Sequence, residues 1–424
     1  MFSKIRGLLV FMNCLEIPLD ITGVNIEGIE FTEEGEIFIT MTSMIEGTAC
    51  HVCSQEITDF YGEDREITLR HLSILGKPTY LKIRPRRYRC SHCKGQPTTT
   101  QTLPWYESRS PHTGAYENHI LLSLVNSTVR DVSIKEGLGY EAVMGIIKRH
   151  VSPEVDWSEF EDLEIMGVDE ISLKKGHRDF ITIISVRLRN GKKRVIGVLE
   201  DRKKETVRKF FRSIPKHLRK TVRVFCTDLY DGFINAAKEF FGRKIRIVAD
   251  RFHVAKLYRK GVDDLRKKEL KRIKKVLPKE EYKCLKGVMW VLRKNFEDLT
   301  EADIEVIKKL RPYAPMLVTA YLLCLTLTNV FKSSITKEQA RCQLRSWKGL
   351  VQKSGIDCFD SFLKTMEERM EEITNYFVER QSSGFVEGLN NKIKVIKRRC
   401  YGILNRNHLF QRLLIDLRGY ELFV

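Results

Sequence analysis

The N-terminal end of the chain lacks a long hydrophobic run. Its only apolar stretch there, Leu8 to Met12, is too short to span a bilayer and carries no signal-peptide cleavage pattern. The expectation is a soluble, cytoplasmic protein with no membrane partner. Acidic charge is also scarce: 74 Lys+Arg stand against 55 Asp+Glu, a net charge of +19. Such an excess favours a polyanionic partner such as nucleic acid, although a merely basic solvated surface has the same arithmetic. A hydrophobic share of 42% with 30% charged residues argues against disorder. At 424 residues the chain is long enough for two or three domains.

The 11 cysteines, in the reducing setting expected, read as metal ligands or small buried hydrophobes rather than disulfides. Residues 1–47 show β-like stretches such as Glu36 to Met41 and no chemical motif. Over 48–100 the texture changes. Cys50-His-Val-Cys53 and Cys90-Ser-His-Cys93 form two CxxC knuckles, with strand-like Ile67 to Leu72 and Tyr80 to Tyr88 between them. Two short knuckles bring four thiolates around one zinc ion, and the intervening strands are expected to supply a zinc ribbon. His51 and His92, inside the knuckles, leave the ligand set open.

Residues 110–152 read as helices: one from about Ala115, one over Thr128 to Glu136, a Gly137-Leu-Gly139 turn, and one over Tyr140 to His150. Thr128 with Asp131 offers an N-cap pair. Val143, Ile146 and Ile147 suit a core, while Lys148 and Arg149 suit a phosphate backbone. The pattern fits a DNA-binding helix-turn-helix, and a plain helical hairpin has the same periodicity.

From 160 to 254 strands alternate with helices: Leu163 to Val168, Phe180 to Arg187, Lys193 to Leu199, a helix near Lys204 to Ile214, Val222 to Cys226, a helix with apolar Phe233, Ala236 and Ala237, and Ile245 to Ala249. That is an α/β core within a multidomain α+β chain. Residues 255–378 read as an all-α insertion, very basic over 256–294, where a solvated helix face and a DNA contact are equally consistent. Residues 379–424 return to the core.

Three carboxylates stand out. Asp169 closes the first strand, Asp228 follows the fourth, and Glu387 lies on a late helix whose Val386, Leu389, Ile393 and Ile396 form an apolar stripe. Glu387, Asn391, Lys394 and Arg398 share another face of it, beside the basic run that includes Lys397. Acids of this kind, brought together, hold two Mg²⁺ or Mn²⁺ ions for phosphodiester chemistry, because these cations require hard oxygen ligands. Each aspartate alone also fits a capping role.

The stretches Val168 to His177, Ile247 to Val254, Leu292 to Thr300 and Glu387 to Gly402, with the knuckles, resemble ISL3-type insertion-sequence transposases in residues, order and spacing. The resemblance implies an RNase H-like catalytic domain with a DDE triad, interrupted by a helical insertion, and it carries the triad onto Asp169, Asp228 and Glu387. Glu170 and Asp250 are neighbouring acids that compete for these places, Asp250 reading as structural. The implied activity is cleavage of DNA at the terminal inverted repeats of an insertion sequence, followed by strand transfer into target DNA. Holding two DNA ends implies a homo-oligomer. A zinc-ribbon and helix-turn-helix regulator without catalysis, and an RNase H-like nuclease without strand transfer, are the competing readings.

Overall fold

The computed structural model describes residues 19, 21–172, 180–380 and 384–424. Leu8 to Met12 and Leu173 to His177 of the first resembling stretch lie outside the described residues. The chain divides into two compact units, one of residues 1–151 with 415–424, the other of residues 152–414.

In the first unit, β1 (Val24–Phe31), β2 (Ile37–Ser43), β6 (Ile67–Ile74) and β7 (Lys77–Ile83) form one sheet in the order β1-β2-β7-β6. Along β2 and β7 every second side chain is buried, and Ile37, Ile39, Met41, Leu81 and Ile83 meet in a small core. Alternation of this kind is what a half-buried strand requires. β3 (Thr48–Ala49) pairs with β4 (Glu56–Ile57) at the first knuckle, and β5 (Asp59–Glu63), β8 (Arg86–Arg89) and β9 (Thr98–Thr100) form a separate antiparallel sheet. Of the two stretches expected to supply the ribbon, only the end of Tyr80 to Tyr88 lies in that sheet, as β8, and its partner β5 is a strand outside both stretches. β6 and β7 instead belong to the N-terminal sheet, because the Ile39 to Leu81 register gives their apolar faces a partner.

Three helices follow: α1 (Gly114–Ser123), α2 (Val129–Glu136) and α3 (Tyr140–His150). The Thr128 hydroxyl accepts from the Asp131 N–H at 3.0 Å, which starts α2. Gly137, at φ +65°, ends it in the left-handed conformation that glycine adopts without strain.

The second unit holds a five-stranded sheet of β10 (Ile165–Ser172), β11 (Phe180–Arg187), β12 (Lys193–Leu199), β13 (Val224–Thr227) and β14 (Arg246–Ala249). The order is β12-β11-β10-β13-β14; β11 runs antiparallel to both neighbours, and β10, β13 and β14 are parallel. In β11 every residue from Ile181 to Val186 is buried, as in a strand covered on both faces. One cover comprises α4 (Lys204–Ser213) and, beyond the short α5 (Lys216–Arg219), α6 (Asp231–Phe241), whose Val207, Phe211, Phe233 and Ala237 pack on Met166, Ile184 and Phe225. The other comprises α7 (Arg251–Val276), further helices reaching Glu379, and the late helix Gly384–Arg399.

Within that second cover the helix Pro315–Lys332 is long and apolar enough to cross a membrane. Most of it is buried in this unit's core, and the Trp347 indole donates to its Leu323 carbonyl at 2.8 Å. It is thus a core helix of a folded unit.

Candidate functional site

The three parallel strands bring three aspartates to one end of the sheet. Pairing of β10 with β13 ends at Val168 opposite Thr227, so Asp169 and Asp228 are the next residue on each strand. Pairing of β13 with β14 ends at Thr227 opposite Ala249, so Asp250 is the next residue on the third. Its N–H donates to the Thr227 carbonyl at 2.8 Å. Asp169 does not close its strand, as the sequence suggested, since β10 continues to Ser172 against β11. It does mark where the parallel pairing stops.

Burial pushes the Asp169 and Asp228 carboxyls above the usual aspartate range, only partly offset by hydrogen bonds from the Glu170 and Tyr230 N–H groups and by His253. Asp250 adds repulsion to both. Glu170 is raised as well, chiefly by burial and against the pull of Arg202, 3.4 Å away. The His253 ring stands 3.2 Å from Asp250, and that contact raises its pKa against the effect of burial. Asp250 also accepts the Phe252 N–H at 2.7 Å and so caps α7.

The late helix lies flat on β10. A Cβ at Gly167 would stand 2.2 Å from Val386 Cγ2 and 3.2 Å from Ser185 Oγ, so the close approach requires glycine. Val386, Leu389, Ile393 and Ile396 are buried, as the stripe predicts. On this helix the Asn390 amide donates to Asp169 Oδ2 at 2.5 Å, and its own Oδ1 is buried without a hydrogen-bond partner among the described residues. Glu387 is exposed one turn before Asn390, and Asn391, Lys394 and Arg398 are exposed along the same helix. Lys397 donates to the Ser172 carbonyl at the end of β10. Asn390 lies in the stretch Glu387 to Gly402 but the sequence assigns it no role of its own, although an amide beside an apolar stripe is itself a signal.

In the ribbon, Cys50, Cys53, Cys90 and Cys93 place their sulfurs within 4.8 Å of one another. The Cys50–Cys93 and Cys53–Cys90 separations, 4.0 and 3.7 Å, approach the sulfur–sulfur edge of about 3.8 Å that tetrahedral Zn–S bonds of about 2.3 Å imply. N–H groups of Cys53 and Val52 draw the Cys50 thiol down to about 6, while hydrogen bonding with Cys53 and burial push Cys93 up to about 12. His51 turns to Thr99 Oγ1 at 2.9 Å and His92 is exposed, so the four cysteines form the site.

The sequence profile of the ISL3 transposases matches residues 166–413, and that of the zinc finger of IS204/IS1001/IS1096/IS1165 transposases matches residues 46–93. The chain belongs to the ISL3 family of transposases. It is 24% identical over 402 residues to the transposase for insertion sequence element IS1001 of Bordetella parapertussis, covering 94% of this chain and 96% of that one. It is 24% identical over 350 residues to the transposase for IS1557 of Mycobacterium tuberculosis, covering 78% and 77%. Among solved structures, the Drosophila P element transposase strand transfer complex matches at a TM-score of 0.40 and 13% identity, over 75% of this chain and 94% of that one.

In the transposase the two basic residues ending α3 have different surroundings. Lys148 is exposed. Arg149 pairs with Glu117, a buried carboxylate that also receives Ser110 Oγ at 2.7 Å, His112 Nδ1 at 3.3 Å and His150 Nε2 at 2.5 Å. Burial opposes ionisation of Glu117, but these donors outweigh it and hold the carboxyl well below the usual glutamate range. A buried carboxylate demands such partners, which gives Arg149 a structural task.

Proposed function

We propose that this transposase cuts DNA at the terminal inverted repeats of its own insertion sequence and joins the ends to target DNA at a metal-dependent DDE site of Asp169, Asp228 and Glu387. The observation that carries the reading is the placement of Asp169 and Asp228 at the ends of adjacent parallel strands, beneath a helix that seats Asn390 on Asp169 and carries Glu387 one turn away. The strand order, third-second-first-fourth-fifth with only the second antiparallel, supports an RNase H-like core. The all-α segment between β14 and the late helix is then an insertion into that core.

The residues fit a hard divalent cation. Their donors are carboxylate oxygens, burial disfavours their ionisation in the absence of a counter-charge, and the buried Asn390 Oδ1 has no hydrogen-bond partner among the described residues. Mg²⁺ or Mn²⁺, two ions when bound, supplies Lewis acidity toward the attacking and leaving oxygens. Asp169 and Asp228 would hold the cations, with the rotamer of Asp169 fixed by Asn390. Glu387, exposed one turn before Asn390, would be the third ligand. Asn391, Lys394 and Arg398 line the helix where phosphates pass, and Lys397 braces the end of β10.

In the first displacement water breaks the terminal phosphodiester and leaves a 3′-hydroxyl. In the second, that hydroxyl attacks a target phosphodiester, so one P–O bond forms for each that breaks. The first unit, with its zinc ribbon and an α2–α3 helix-turn-helix presenting Lys148, binds the ends. Two ends call for a dimer or larger assembly, acting on DNA in the cytoplasm.

The test is incubation of the full chain with DNA carrying the sequences that flank its gene. Mg²⁺-dependent 3′-hydroxyl ends and joined strands are expected, both lost on chelation. Cleavage without joining supports the nuclease reading, and end binding without either supports the regulator.

A second assignment of the third carboxylate has its own support. Asp250 acts electrostatically on both Asp169 and Asp228 and is buried beside them, whereas Glu387 is exposed.

A further inference from the structure

Helix α7 begins at the acid cluster and continues as the wall of a cavity of about 770 Å³. Phe252, Ala255, Lys256, Arg259, Lys260, Val262 and Asp263 face it, spacings of three and four that define one side of a helix. The opposite wall is formed by Met289, Leu292 and Arg293. At 1.5 Å of rise per residue, Phe252 to Lys260 spans about 12 Å, the length of roughly two nucleotides measured from the acid cluster.

Three features of the cavity point to one ligand class. Its floor is apolar, with Val262 and Leu292 both buried. Its mouth carries an aromatic ring in an unusual place: Phe252 is 56% exposed, immediately beside His253, whose ring lies edge-on at 5.9 Å. An exposed Phe whose own N–H is fixed by Asp250 stands at the border of the acid cluster. Finally, five cations against the single Asp263 line the cavity. Arg266 is paired with Asp263 and Arg259 is held by Asn295 at 2.7 Å, but Lys256 and Lys260 are exposed. Arg293 lies over the exposed Trp290 ring at 5.7 Å.

We propose that this cavity receives one nucleobase of the DNA strand at the cleavage site, turned out of the stack, with its ring on Phe252 and its flanking phosphates on Lys256 and Lys260. A base is flat and apolar on its faces and is joined on both sides to anions, which matches an apolar slot with a basic mouth. The volume lies in the range of pockets that enclose small ligands. The inference rests on the assignment of the acid cluster to DNA cleavage, and it adds where the strand runs: from the acids along α7 toward Arg293. Removing a base from the stack costs a few kcal/mol, least where it is already unpaired, so the pocket favours a frayed or single-stranded position beside the cut.

The experiment uses the full chain, chelator to prevent cutting, and a forked duplex with a five-nucleotide single-stranded arm carrying 5-iodouracil at one arm position. After irradiation and digestion, an adduct is expected on Phe252 or on the peptide 288–293. The same base in paired DNA should give little. Phe252→Ala should lower the yield about tenfold, the loss expected for one base–aromatic stack. Because Phe252 is exposed, the variant should fold. Lys256→Ala with Lys260→Ala should weaken fork binding at low salt and flatten its salt dependence.

Adducts scattered elsewhere, equal adducts from paired DNA, an unchanged yield in Phe252→Ala, or equal displacement by a free mononucleotide would each overturn the proposal. Failure to bind the fork at all would strike the DNA reading itself, and binding without pocket adducts would strike only the pocket.

Discussion

Asn390, on the helix Gly384–Arg399, donates its amide to Asp169 Oδ2 at 2.5 Å and thereby ties that helix to strand β10 at a carboxylate of the acid cluster. A hydrogen bond to an ionised ligand fixes its rotamer and favours its charged form.

Asn390→Leu, close in volume but without the donor, should lower the cleavage rate about 10- to 100-fold and raise the Mg²⁺ concentration needed for half-maximal rate, the usual effect of losing a group that orients a metal ligand. Single-turnover cleavage measured across a Mg²⁺ series reads both. Asn390→Asp should be worse than Asn390→Leu, since it sets a second carboxylate against Asp169. Unchanged Mg²⁺ dependence in both variants would reduce Asn390 to packing.

Asp169→Asn, Asp228→Asn and Glu387→Gln should each abolish metal-dependent cleavage while DNA binding stays within a few fold, because phosphate contacts made by Lys and Arg survive the loss of a metal ligand. Asp250→Ala should instead lose the cap of α7, a cost of about 0.5–2 kcal/mol, and the contact to His253. Thermal unfolding and cleavage measured side by side separate the cases. A folded, inactive Asp250→Ala together with an active Glu387→Gln would move the third carboxylate from Glu387 to Asp250.

The strands and helices around the acid cluster are partly legible in the sequence, and what is not legible has physical causes. Strand β13 is a short apolar run and Asp228 follows it, so a period and a boundary suffice to find it. Thr128, Gly137 and the stripe through Val386 and Ile393 are local signals with local consequences. Asp169 was misplaced at a strand end because β10 has two edges, and the antiparallel partner β11 extends it beyond the parallel one. The pairing of Arg149 with Glu117 is not legible, because Glu117 is 32 residues away on α1 and looks in sequence like any helix-surface acid. The pairing of β6 and β7 with β1 and β2 depends on register between distant strands, which no local pattern carries.

The ribbon should hold about one zinc per chain. Cys53→Ser and Cys90→Ser should each release it and unfold β5, β8 and β9, since a closed four-thiolate site contributes its binding energy to folding. His51→Ala should retain full zinc, because His51 is turned to Thr99. Metal analysis of the purified variants decides; zinc kept in both cysteine variants would reject the four-cysteine site.

The Glu117 cluster gives the three-helix segment a defined response to acid. A carboxyl held below its ordinary value contributes stability that is fully present above that value, 4.5 for glutamate, and is lost as pH falls toward the folded pKa. Amide protection of α1 and α3, taken as exchange relative to the intrinsic rate at each pH, should therefore fall steadily below about pH 4.5 in the wild type. In Glu117→Gln protection should already be lower at pH 7, because Arg149 and His150 lose their partner, and it should change less between pH 5 and 3. Parallel pH profiles for the two proteins would show that the cluster does not set the acid response.

End recognition is expected to lie in the first unit and bulk affinity in the second. A helix in the major groove reads base edges, and α3, with Val143, Ile146 and Ile147 buried and Lys148 exposed, has one packed face and one open face for that purpose. The Lys and Arg of 256–294 and 392–399 chiefly neutralise phosphates, which gives affinity that falls steeply with salt. Lys148→Ala should therefore weaken binding to end and random DNA alike and reduce the salt slope by about one. Substitutions at the exposed start of α3, Tyr140→Ala and Glu141→Ala, should instead narrow the difference between end and random DNA. Gel-shift titrations of the full chain against both DNAs, at two salt concentrations with excess competitor, measure the two effects separately. If end preference survives every change on α3 and falls when 256–294 are altered, recognition belongs to the helical segment of the second unit and the three helices serve packing.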